Sequence, residues 1–153
     1  MRHCGIPSIK VYPPAGNLVA GFANALERSG IAEKIYYPSR NDDKFDLALD
    51  SRFDVTFDAN TGGNMTKSFF TGLTLFLLEP VFWFNFNYEM TGEIDIIRAT
   101  QKVDSIKANS EGEMSMKFLS LGEAQTLEGS TLAMLKESLF RQLILKLETA
   151  CAK

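Results

Sequence analysis

Between Phe45 and Asp58 apolar and polar residues alternate almost without a break. Phe45, Leu47, Leu49, Phe53, Val55 and Phe57 interleave with Asp46, Asp50, Arg52, Asp54, Thr56 and Asp58. Successive side chains on a β-strand point to opposite sides, so this pattern predicts a long strand with one buried and one wet face. Two later stretches repeat it. Phe82, Phe84, Phe86, Tyr88, Met90, Ile94 and Ile96 share one side of a strand near 82–97. Ile106, Ala108, Met114, Met116 and Phe118 share one side of another near 105–118. Consecutive alternating strands favour an antiparallel meander, wet on one side.

The apolar side of such a sheet needs a cover, and the chain ends carry it. Leu18, Phe22, Ala25 and Leu26 fall at helical spacing within 15–29, with Gly30 placed to cap the helix in the left-handed conformation. Near the C-terminus, Leu132, Leu135, Leu139, Leu143 and Leu147 form one stripe, widened by Met134, Phe140 and Ile144. That helix is expected over 131–148 with Ser130 or Thr131 as N-cap, or from Glu123 with Gly129 inside it. Ile9–Tyr12 and Ala32–Tyr37 are short extended candidates, ended by Pro13-Pro14 and Pro38. Two amphipathic helices on a mainly antiparallel, one-sided sheet give an α+β two-layer sandwich. The expected organisation is a flexible segment over 1–8 and one domain over 9–150. The length, 153 residues, suits a single core.

Charge and motif spacing narrow the function. A net charge of -3 with no basic stripe argues against nucleic acid. His3 is the only histidine and stands at the terminus beside Cys4, an unsuitable place for a held nucleophile–base pair. Asp46, Asp50, Asp54 and Asp58 resemble a metal cluster, but residues four apart on a strand are roughly 13 Å apart. A calcium ion needs its oxygens within about 2.6 Å. A solvated face complementary to a basic partner is the expected use. The stretch Thr61-Gly62-Gly63-Asn64-Met65-Thr66-Lys67-Ser68 lacks the glycines a phosphate-binding loop requires and reads as a flexible connection. Asn64-Met65-Thr66 also fits a glycosylation sequon. No catalytic, cofactor or metal residue is therefore expected.

Surplus apolar area stands out instead. Phe69, Phe70, Leu73, Leu75, Phe76, Leu77, Leu78 and Trp83 exceed what the sheet and two helical stripes need, and Glu79-Pro80 interrupts any membrane-spanning helix. They are expected either to cover the core or to form an interaction surface toward a protein partner, another copy of the chain or a membrane.

The phrases Phe22-Ala23-Asn24-Ala25-Leu26-Glu27-Arg28-Ser29-Gly30, Asp46-Leu47-Ala48-Leu49 and Gly72-Leu73-Thr74-Leu75-Phe76-Leu77-Leu78-Glu79-Pro80 resemble a broad group of small bacterial envelope lipoproteins. Their order over residues 9–148 is also similar to the α/β domains of the curli-secretion lipoprotein and of the TolB N-terminus. The resemblance implies a non-enzymatic envelope protein on the periplasmic side, active in protein–protein interaction or assembly, with Cys4 as the lipid-bearing residue. It brings no catalytic residues. Met1-Arg2-His3 departs from the small-residue context of a lipidation signal. The alternative is a cytosolic ligand-binding domain or enzyme with a pocket between sheet and helices, which follows if Met1 is the true start. Whether Cys4 and Cys151 pair stays open at this stage.

Overall fold

The computed structural model describes residues 6–73, 83–117 and 121–151. In chain order these form β1 (Ile6–Tyr12), α1 (Asn17–Ser29), β2 (Ala32–Tyr36), β3 (Leu47–Asp58), α2 (Thr61–Leu73), β4 (Phe84–Arg98), β5 (Gln101–Met116) and α3 (Leu121–Cys151). The strands make one sheet in the order β2-β1-β3-β4-β5, mostly antiparallel, so the α+β class read from the alternation is the observed one. The chain divides into two compact units. One runs through Asp54 and adds Thr91–Asn109 and Glu137 onward; the other comprises Val55–Met90 and Ser110–Lys136.

In the first unit β1 lies parallel to both neighbours, pairing Ile9 with Ile35 and Val11 with Leu49. A parallel return needs a crossover, and α1 supplies it. Val19, Phe22, Ala23 and Leu26 are its buried face, and Gly30 ends it at φ 68° and ψ 20° with its N–H on the Glu27 carbonyl. β1 begins at Ile6, which is buried and pairs with Ala32. Residues 6–8 thus belong to the sheet and not to the flexible segment expected over 1–8. The core holds Ile9, Val11, Leu26, Leu49, Ile94, Leu139, Leu143 and Leu147. At its centre Phe22, Phe53 and Phe140 form a triangle of rings with centroids 5.6–5.7 Å apart.

β4 and β5 run in opposite directions, Glu93 meeting Lys107 and Asp95 meeting Ser105. Only Ala99 and Thr100 join them, both at positive φ (48° and 69°), the handedness that a two-residue hairpin demands. The strands are accordingly longer toward the turn than the separate 82–97 and 105–118 segments expected from the pattern.

In the second unit Phe84, Tyr88, Met90, Met114 and Leu135 are buried. Gly112 lets Leu135 approach, since a Cβ there would stand 3.0 Å from Leu135 Cδ2. Val55 and Phe57 depart from expectation, at 42% and 51% exposure. Phe57 rests on Phe86, with centroids 6.0 Å apart, and against Tyr88, without being enclosed. Alternation fixes the side to which a residue points and not whether anything covers it. The C-terminal helix takes the longer of its two expected forms, with Gly129 inside. Ser130 is no N-cap, because its hydroxyl donates to the Leu127 carbonyl within the helix. Met134, expected to widen the buried stripe, is 66% exposed.

Candidate functional site

The connection expected at 61–68 is a helix, and local hydrogen bonding explains why. Asp58 accepts from the Asn60 backbone N–H, and Asn60 turns the chain at φ 45°. Asn64 then pins the first turn. Its Nδ2 donates to the Ala59 and Asn85 carbonyls, while its Oδ1 accepts from the Asn85 N–H at 3.2 Å. Asn64 is buried in these bonds, so the sequon there is closed to a glycan. Lys67, nearly one turn further on, donates to the Trp83 carbonyl at 2.5 Å. The face bearing Asn64 and Lys67 thus meets the start of β4. Helical spacing puts Met65, Phe69 and Leu73 on the opposite side, where they are 67%, 66% and 68% exposed. Trp83 is half-exposed, and Lys117 lies over its ring at 5.2 Å from the centroid.

Of the apolar residues singled out from the sequence, Phe69, Leu73 and Trp83 are therefore outward-facing. Leu75, Phe76, Leu77 and Leu78 lie outside the described residues, as do His3 and Cys4; Phe70 lies on α2.

A second surface of the same unit is polar. Thr56 and Asp58 of β3, Asn87 and Glu89 of β4, and Glu111 and Glu113 of β5 line an open cleft of about 640 Å³ on the wet side of the sheet. Tyr88 belongs to the other side of β4. Burial first, then the charge of and hydrogen bond to Glu128, push its phenol above the ordinary tyrosine range. No ion pair joins Asp58, Glu89 or Glu113 to a basic side chain among the described residues.

The wet face of the first unit is different. Arg52 reaches Asp50 and Asp95, Lys102 reaches Asp95, and Lys107 reaches Glu93. The four aspartates noted in the sequence thus take separate local roles. Asp46 accepts from Ser8 at 2.6 Å, Asp50 pairs with Arg52, Asp54 is exposed and Asp58 holds the turn into α2. Among the described residues no group of three or more His, Cys, Asp or Glu side chains is placed to hold a metal ion, and no helix is long and apolar enough to cross a membrane.

One arrangement had no signal in the alternation. Lys10 is 2% exposed on β1, its Nζ donating to the Arg40 carbonyl and lying 5.1 Å from the Phe45 ring centroid and 5.2 Å from that of Tyr12. Tyr12 and Phe45 around a strand lysine were readable only once β1 and the chain before β3 were known to be neighbours.

The architecture is one found in bacterial lipoproteins. The minor lipoprotein of Acinetobacter baumannii superposes with a TM-score of 0.61 at 10% identity, over 94% of this chain and 90% of that one. The rare lipoprotein B of Shewanella oneidensis gives 0.52 at 11% identity, over 95% and 98%. The uncharacterized lipoprotein B of Nitrosomonas europaea gives 0.50 at 9%, over 94% and 80%. The sequence matches no protein-family model, and no curated protein matches it. The lipoprotein resemblance read from residues 9–148 is thus a shared fold spanning nearly the whole chain.

Proposed function

We propose that this chain is the folded domain of a bacterial envelope lipoprotein, held on the periplasmic side through Cys4, that works by binding a protein partner and not by turning over a substrate. The observation that carries this reading is the fold shared with lipoproteins across more than nine-tenths of the chain. The acidic cleft supplies the docking surface. Asp58, Glu89 and Glu113 form no ion pair with a basic side chain among the described residues, so a partner segment bearing Lys or Arg gains complementary charge there. An open, polar cleft also suits a protein segment better than a small molecule, which is usually held in an enclosed, mostly apolar pocket.

Two measurements in the native bacterium test this. Palmitate should label the chain and leave it in the membrane fraction, and Cys4→Ser should abolish both. A photo-crosslinker at Glu113 should trap one defined envelope protein, with trapping lost on Glu89→Lys and absent when the crosslinker is moved to Thr149, outside the cleft. An unlabelled chain found in the soluble cytosol overturns the envelope reading. Equal trapping from both positions overturns the cleft as the docking surface.

A further inference from the structure

We infer that Asp104, Gln142 and Lys146 hold the β5 edge of the sheet shut against pairing with the β5 of a second copy of this chain. This goes beyond the partner-binding reading and concerns a different surface. β5 is the last strand of the sheet, and β4 is its one strand neighbour among the described residues. A strand edge presents a row of backbone N–H and C=O groups, a ready template for another strand. Here side chains occupy those groups. Asp104 Oδ1 accepts from the Ser105 N–H at 2.8 Å. Lys146 Nζ donates to the Lys107 carbonyl, and Gln142 Nε2 donates to the Asn109 carbonyl at 3.1 Å. Ser105, Lys107 and Asn109 are every second residue, the spacing of backbone groups that face one side of a strand. Gln142 and Lys146 stand four residues apart on α3, so one helix face reaches two successive outward carbonyls.

The closure is made of side chains that can let go. An open cleft of about 430 Å³ lies between residues 104–107 of the edge and Leu145, Lys146 and Thr149 of α3. Lys146 is exposed, so water stands ready to replace the carbonyl that its ammonium now holds. The backbone of the edge is also its own complement, and this names the occupant. Antiparallel pairing about Ile106 sets Ser105 of one copy opposite Lys107 of the second copy. The Ser105 N–H of each then meets the Lys107 carbonyl of the other. Those are the two groups that Asp104 and Lys146 now satisfy. A two-fold contact of this kind uses the same patch on both copies and closes at the dimer. Charge does not oppose it, because the Lys107 ammonium lies 3.1 Å from Glu93 and would face an uncharged serine.

The test uses the full-length chain carrying Cys4→Ser, so that no acyl chain drives association and the lipidation reading is not involved. Asp104→Ala, Gln142→Ala and Lys146→Ala together should produce a concentration-dependent dimer by sedimentation velocity, beyond any association of the parent. The three changes remove one acid and one base and leave the net charge at -3, so weaker charge repulsion does not account for it. Amide hydrogen exchange over residues 103–109 should slow as the dimer forms. If the triple variant does not fold, Lys146→Ala alone, at an exposed position, should give a weaker dimer with the same protection. A folded variant that associates no more than its parent overturns the inference. So does association that leaves exchange over 103–109 unchanged, or a parent chain already paired through that segment.

Discussion

Lys102 Nζ stands 2.6 Å from Asp95 Oδ1, on a carboxylate that also accepts from Ser105 at 2.8 Å and meets Arg52 at 3.5 Å. The Lys102 hydrogen bond, then that of Ser105, holds the Asp95 carboxyl below the ordinary aspartate range. A depressed folded-state pKa contributes stability that is present above the unfolded value and lost as pH falls through the folded one. The melting temperature of the native chain should therefore fall as the pH drops through and below the ordinary aspartate range. Asp95→Asn should melt lower at neutral pH and show a shallower acid limb. Parallel acid limbs for the two proteins would contradict the assignment.

Glycine substitutions should change sign with position. A Cβ on Gly92 would lie 2.9 Å from Leu143 Cδ1 and 3.0 Å from Phe53 Cε1, beside the three-ring cluster. Gly92→Ala should cost about 1–3 kcal/mol by overpacking. Gly129 lies within α3, and a Cβ there meets nothing within 4 Å. Gly129→Ala should stabilise by ~0.5–1 kcal/mol. Denaturant midpoints that move the same way in both variants would contradict the packing described.

The three long strands and the leucine face of α3 were legible because they obey periods of 2.0 and 3.6. Leu135 and Leu139 were expected in the core and are 5% and 0% exposed. The hairpin turn was not legible, since Arg98-Ala99-Thr100-Gln101 lacks the Gly or Asn that positive φ favours. The α2 helix was obscured by Gly62-Gly63, and the asparagine bonds that fix it join residues 21 apart. The acidic cleft draws on three strands, so its shape depended on their register, which one sequence does not display.

The same turn offers a test. Ala99 and Thr100 both sit where a Cβ is disfavoured. Replacing them with Asn and Gly should raise stability by about 1 kcal/mol or more. A lower melting temperature for the Asn-Gly chain would show that the connection has another geometry.

Leu139→Ala should cost ~2–5 kcal/mol, because the leucine is fully enclosed and its neighbours leave a cavity. Met134→Ser, on the exposed side of the same helix, should stay within about 0.5 kcal/mol. Comparable losses at both positions would mean that the rotation of α3 about its axis is misassigned.

The buried ammonium of Lys10 gives the last prediction. It lies between the rings of Phe45 and Tyr12, holds the Arg40 carbonyl, and forms no ion pair among the described residues. Its four-carbon stem fills the space between β1 and the chain ahead of β3, so packing and charge contribute separately. Lys10→Met keeps most of the volume and removes the desolvated charge, at the loss of the bond to Arg40. Replacing a buried charge by an apolar side chain of similar volume is often neutral or favourable, so Lys10→Met should fall within about 1 kcal/mol of the native chain. Lys10→Ala empties the space and should cost about 2 kcal/mol or more. Equilibrium unfolding of the two variants reads the difference directly. If Lys10→Met is as damaging as Lys10→Ala, the ammonium and its cation–π contacts dominate there, and the lysine is held for its charge and not its stem.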